Sequence, residues 1–237
     1  MPKITTIVFL FISGIAGGIF ADQILWPYFI EKPLFYQYRL EQNPIYITEK
    51  KEITIIENTA LQNAIEKVEN TIVGVRTKTA DGKILEGSGL IVTSDGLFIT
   101  LNDLVPKGSE FVFYIDGRPI SFQIIKRDAN QNLALIKAEK ESLSTVGFAD
   151  LDKARIGQRV FLIGALLDNK IIKKTANEGI IKNFNQELIE TNISEDVNLA
   201  GSPLFDIEGR CLGLNQINTQ GKVVAIPVNL IKKFIGL

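Results

Sequence analysis

Three groups in this 237-residue chain draw notice as candidates to attack a carbonyl: Ser194 and Ser202, on either side of Asn198–Gly201, and the one cysteine, Cys211. A serine hydroxyl becomes a nucleophile when a neighbouring base takes its proton, and an imidazole is suited to that at neutral pH. The chain contains no histidine. Asp103 is a candidate base for Ser202, yet a carboxylate with an ordinary pKa of about 4 is a poor match for a serine hydroxyl. No Ser-x-x-Lys motif offers a lysine in its place. Cys211 lies in the apolar run Cys211-Leu212-Gly213-Leu214, which reads as a buried strand with an inert thiol. Without histidine, and with a lone cysteine, zinc and imidazole-bound metals are disfavoured. No acidic loop has calcium-binding spacing, so neither metal nor cofactor is implied. The net charge of −1 and the lack of a dense basic cluster argue against nucleic acid as a partner.

The elements that would position such groups are mostly strands. From Asn70 onward, short runs rich in Val, Ile, Leu and Phe alternate with Gly, Asp and Asn turns. Strands are predicted at Thr71–Thr77, Gly87–Thr93, Leu97–Leu101, Glu110–Ile115, Ser121–Lys126, Leu133–Lys137, Arg159–Ile163, Gly179–Ile181, Leu188–Thr191 and Cys211–Gln216. Asp81-Gly82, Asp95-Gly96 and Asp116-Gly117 fall between such runs as hairpin signals. Ten or more short strands with few helical segments predict an all-β fold, and two antiparallel barrels fit roughly 170 residues. Ahead of them, Thr59 and Gln62 resemble a capping box opening a helix to about Val68.

The N-terminus differs. Ile4 to Ala21 carries no charge, Lys3 precedes it, and Trp26 and Tyr28 follow where amphipathic aromatics sit at a lipid boundary. An uncleaved transmembrane anchor over residues 1–26 is expected. Its N-terminus would be cytoplasmic and the rest of the chain extracytoplasmic, at the cell surface or in the periplasm. A cleaved signal peptide is the competing reading. Residues 27–57, with Pro33, Pro44 and a short helix at Phe35–Glu41, read as a semi-rigid stalk.

Gly87-Ser88-Gly89-Leu90-Ile91-Val92-Thr93-Ser94-Asp95-Gly96-Leu97-Phe98-Ile99-Thr100-Leu101-Asn102-Asp103 resembles the glycine-rich opening of the protease domain in the HtrA/Deg family of trypsin-like serine proteases. Four further segments follow in family order: Asn132-Leu133-Ala134-Leu135-Ile136, Ile156–Gly164 with Glu178–Ile181, Asn198-Leu199-Ala200-Gly201-Ser202-Pro203-Leu204, and Ala225-Ile226-Pro227-Val228-Asn229. The resemblance implies a trypsin-like double β-barrel over residues 58–237 with short flanking helices, and no counterpart of the PDZ domain common in that family.

Carried over residue by residue, the resemblance puts Asp103 at the catalytic histidine, Asn132 at the aspartate that orients it and Ala200 at the nucleophile. It therefore implies a pseudoprotease whose degenerate triad cannot cleave. Asn198, Leu199 and Ala200 form the remnant of the oxyanion loop, whose N–H groups either persist as an anion pocket or do not. Asn215, Gln216 and Ile217 would lie on the substrate-binding edge and hold a peptide or protein segment by strand addition. The alternatives are a peptidase with an unconventional site such as Ser202 with Asp103, and a purely structural envelope protein. Family members often form trimers, so the resemblance also allows a homo-oligomer.

Overall fold

The computed structural model of the chain describes residues 2–31, 57–168 and 171–237. The stalk expected over 27–57 lies, from residue 32 to 56, outside the described residues. The chain divides into two compact units, Met1–Thr54 and Ile55–Leu237.

In the first unit, α1 (Pro2–Phe20) runs on into a wider-wound helical segment, Ala21–Glu31. Ile4–Trp26, 23 residues, is long and apolar enough to cross a membrane, and none of it is buried against protein. At 1.5 Å per residue such a helix reaches about 34 Å, against about 30 Å of hydrocarbon. The hydroxyl of Ser13 is satisfied by donating to the Phe9 carbonyl at 2.8 Å, one turn back.

The second unit begins with α2 (Glu57–Val68). It starts two residues before Thr59, which therefore lies inside the first turn rather than capping it. Ala64 and Val68 are buried, and Leu61 and Ile65 pack against the same core. Seven antiparallel strands follow: β1 (Ile72–Lys78), β2 (Ile84–Ile91), β3 (Leu97–Leu101), β4 (Glu110–Ile115), β5 (Arg118–Ile120), β6 (Phe122–Asp128) and β7 (Leu133–Ala138). They form one sheet in the order β5-β4-β1-β2-β3-β7-β6. This sheet is a half-barrel, open between β5 and β6. Pro119 in the three-residue β5 has no N–H to donate, which suits an edge. Its concave side is filled by phenylalanines: Phe113 packs edge-on against Phe98 at 5.0 Å and against Phe122 at 4.6 Å.

The remaining strands are β8 (Arg159–Asp168), β9 (Ile171–Phe184), β10 (Ile189–Ser194), β11 (Pro203–Asp206), β12 (Cys211–Ile217) and β13 (Lys222–Pro227). They close into a barrel in the order β10-β13-β12-β11-β8-β9. The all-β, trypsin-like expectation holds, with the second barrel fully closed. Only Gly179–Ile181 is predicted of β9, because its first half, Lys173-Lys174-Thr175-Ala176-Asn177-Glu178, is polar. That half is nonetheless carried by β8, which pairs with it from Arg159 opposite Ile180 to Asp168 opposite Ile171. The helix α3 (Val228–Ile235) ends at Gly236 with φ 89°, and ties back to the half-barrel. There the Lys126 ammonium donates to the Phe234 carbonyl at 3.2 Å and sits 4.6 Å over its ring.

Candidate functional site

Half-barrel and barrel meet at a cleft of about 610 Å³. Its lining comes from the start of β2 (Lys83 to Glu86), the end of β3 (Leu101, Asp103, Leu104), Asn132, the loop residues Val197, Asn198 and Ala200, and the β12–β13 hairpin (Gln216, Ile217, Asn218, Lys222, Val224). Asp103, Asn132 and Ala200, far apart in sequence, thus border one space.

Asp103 sits in the 3₁₀ turn Asn102–Leu104 that ends β3. That turn is held from behind: the Thr77 hydroxyl donates to the Leu104 carbonyl, and Arg127 Nε donates to the Val105 carbonyl at 3.2 Å. Asn132 precedes β7 in the left-handed region, φ 52°, which asparagine tolerates better than most residues. The two side chains lock reciprocally. Asp103 N–H donates to Asn132 Oδ1 at 2.9 Å, and Asn132 Nδ2 donates to Asp103 Oδ2 at 2.9 Å. The Asn102 N–H adds a bond to the Asn132 carbonyl at 3.1 Å. This is a carboxylate–amide pair, with no imidazole in it. Asp128 takes no part in it: its Oδ1 caps its own turn, accepting from Asn130 and Gln131 N–H groups.

The loop at Ala200 is closed on itself. Asp196 caps a single 3₁₀ turn, its Oδ1 accepting from Asn198 N–H at 2.8 Å and its carbonyl from Leu199 N–H at 3.0 Å. Ala200 N–H donates to the Val197 carbonyl at 3.0 Å, Gly201 N–H to Asn215 at 2.8 Å and Ser202 N–H to Leu199 at 3.1 Å. Every amide from 198 to 202 has an acceptor inside the protein. An oxyanion pocket needs such donors free and aimed at the reacting atom, and here those at 198 and 200 are spent. Gly201 makes the turn feasible: its φ is 79°, and a Cβ would run into the Ser88 carbonyl. Beneath the loop, Ser88 N–H donates to the Ala200 carbonyl at 2.8 Å. The Ser88 carbonyl accepts from Thr100 Oγ1 at 2.6 Å, and its hydroxyl oxygen from Ala165 N–H at 2.9 Å.

Ser202 is fully buried and does not border the cleft. Its hydroxyl oxygen accepts from Asn215 Nδ2 at 3.1 Å, while Asn215 Oδ1 has no partner among the described residues. Along β12, Asn215 spends its backbone N–H and carbonyl on Ser202 and Gly201. Asn218 N–H, three residues on, turns the other way, to the Lys222 carbonyl of the hairpin. Strand alternation then turns the Ile217 N–H and carbonyl away from β13. On that side the last β11 residue paired with β12 is Pro203, opposite Leu214. Of the three edge residues expected, Ile217 is the one whose backbone faces away from β13 beyond the last residue paired with β11. Leu199 is buried.

Asp196 as a cap, Val197 on the cleft wall and the wall at Lys83–Glu86 escape the reading from sequence. The pattern Asp196-Val197-Asn198-Leu199 does carry a signal, an aspartate whose side chain can accept from the amide two residues on. Cys211 is buried, and burial pushes its thiol up to about 12 from 9.0. Native protein at pH 8 should resist iodoacetamide and label only when unfolded. Because the folded pKa is the higher one, the native state should lose stability as pH climbs from about 9 toward about 12. Denaturant titrations at stepped pH check this, and a flat profile would overturn it.

A half-barrel and a closed barrel with a cleft at their junction are the architecture of trypsin-like peptidases. Residues 87–214 match the trypsin-like peptidase domain, and the chain belongs to that family, in its HtrA/Deg branch. It is similar to probable periplasmic DegP-like serine endoproteases. The relative from Halomonas elongata is 28% identical over 159 residues, covering 61% of this chain and 33% of that protein. The one from Hahella chejuensis is 30% identical, with the same 61% and 33% coverage. The one from Rhizobium meliloti is 26% identical over 166 residues, 63% of this chain and 32% of that protein. The chain thus spans about a third of the length of the curated relatives it matches.

Proposed function

We propose that this chain is a membrane-anchored, non-catalytic homologue of trypsin-like serine proteases that holds an extended peptide or protein segment outside the cytoplasm. One observation carries the reading: the cleft unites Asp103, Asn132 and Ala200, the three positions that the family resemblance assigns to a triad, in a chain without histidine. The pair of Asp103 and Asn132 includes no imidazole to take the proton and return it, and the methyl group of Ala200 offers no nucleophile. Function is a matter of the site rather than of the fold. What the cleft retains is a binding surface: the backbone of Ile217, and apolar walls that include Ile84 and Val197, exposed at 44% and 52%. Residues 1–26 would be the anchor, 27–57 the stalk and 58–237 the binding domain. The periplasmic naming of the relatives favours export of that domain.

The alternative, a peptidase built on Ser202 and Asp103, is weakened by the burial of Ser202 beneath the loop. Full-length chain in detergent should leave fluorescent casein intact. It should retain peptides from a capped, fluorescein-labelled library, and lose at least about tenfold of that retention when Gln216→Trp narrows the cleft. Turnover that Ser202→Ala abolishes would sink the non-catalytic reading. Retention unchanged by Gln216→Trp, with the melting point preserved, would sink the cleft.

A further inference from the structure

Among the described residues, two of the four charged side chains on the cleft, Lys83 and Asp103, form no ion pair. Glu86 lies 3.8 Å from Arg76, and Lys222 lies 3.8 Å from Glu190. Lys83 lies near Asp81, whose carboxyl is held low by the Thr79 hydroxyl, backbone N–H groups and this lysine. Asp103 differs. Its one side-chain partner among the described residues is the neutral amide of Asn132, which engages Oδ2 alone. No lysine or arginine among the described residues forms an ion pair with it. The carboxylate is also fixed in place, since its own N–H and its Oδ2 are both tied to Asn132. Asp103 thus borders a cleft of about 610 Å³ with its Oδ2 tied to Asn132.

We infer that Asp103 is a specificity residue, and that the segment held in the cleft is apolar and extended with one positively charged nitrogen placed against this carboxylate. The inference rests on the cleft reading above and adds the chemistry of the occupant. An ammonium or guanidinium donating to a preorganised carboxylate forms a charge-assisted hydrogen bond, stronger than a neutral one. Walls that include Ile84 and Val197 favour apolar side chains, and the Ile217 backbone takes the strand. The nitrogen comes either from a lysine or arginine side chain or from the amino terminus of the segment itself.

The test presents the full-length chain in detergent micelles with two positional libraries of C-amidated octapeptides, one N-acetylated and one with a free amino terminus. In the acetylated library, lysine and arginine should exceed norleucine by about tenfold at a single position. Asp103→Asn, which keeps an oxygen for Asn132 Nδ2, should erase that preference while apolar preferences elsewhere persist. If the amino terminus is the source, the free library should be retained about tenfold better and the acetylated one should show no basic position. Peptides retained with no dependence on a cation, or with the same dependence in Asp103→Asn, overturn the inference and leave the cleft reading standing. No retention from either library overturns both.

Discussion

Restoring the triad letters should not restore a protease. Asp103→His, Asn132→Asp and Ala200→Ser together should leave casein turnover at background and fail to label with a fluorophosphonate. The reason is the state of the loop, not the identity of three side chains. A Ser–His–Asp set contributes on the order of a million-fold in rate, and one oxyanion donor about 10²–10³. In this loop the amides at 198 and 200 donate to Asp196 and Val197. A tetrahedral intermediate formed at a serine in place of Ala200 would find its negative charge unmet. Adding Asp196→Ala frees the Asn198 amide from its cap and should cost about 1 kcal/mol of stability. It leaves Ala200 N–H bonded to Val197. Strong turnover by the triple variant alone would show that the 3₁₀ turn rearranges at little cost, and the account of the loop would fall.

The second large effect is on stability, at Gly201. Substituting alanine places a side chain at φ 79° and drives its Cβ into the Ser88 carbonyl. Strain at a left-handed position and a backbone clash both oppose it, and relief requires the loop to lift from β2. Gly201→Ala should lower unfolding free energy by about 2–4 kcal/mol in urea titrations of the described domain's signal in the full chain. The same change at Gly82, whose Cβ would meet nothing within 4 Å although its φ is 86°, should cost less, since strain acts there without a clash. Equal losses at the two sites would mean that the contact with Ser88 carries no weight.

How much of this could be read from the residues alone depends on the kind of signal each segment carries. The bounds of β3 and β4 were legible. Asp95-Gly96 and Asp116-Gly117 punctuate them, and the chain at Gly96, Asp116 and Gly117 takes the positive φ such pairs favour. The four residues of β11 offered no alternation, because Pro203, Leu204, Phe205 and Asp206 are all buried. Even the aspartate is inside, its carboxylate accepting from the Glu208 and Arg210 amides and from Arg210 Nε. The meeting of Asp103 with Asn132 came from family likeness, and their reciprocal bonds follow from an asparagine tolerating the left-handed turn. The closed amides at 198 to 202 were not legible. Composition allows N–H groups to point either into a cleft or along a 3₁₀ turn, and only the backbone path decides. The pairing state of Asp103 was hidden for a related reason, since ion pairs between strands depend on register.

Ser88 belongs to both halves of the domain at once. Its amide holds the Ala200 loop, its carbonyl takes Thr100 of the half-barrel and its hydroxyl oxygen takes Ala165 of the closed barrel. Prising the halves apart would strand several buried polar groups, each at a cost of roughly 1–3 kcal/mol. The groove therefore behaves as a caliper set to one gap. A segment held there as proposed would have to fit that gap.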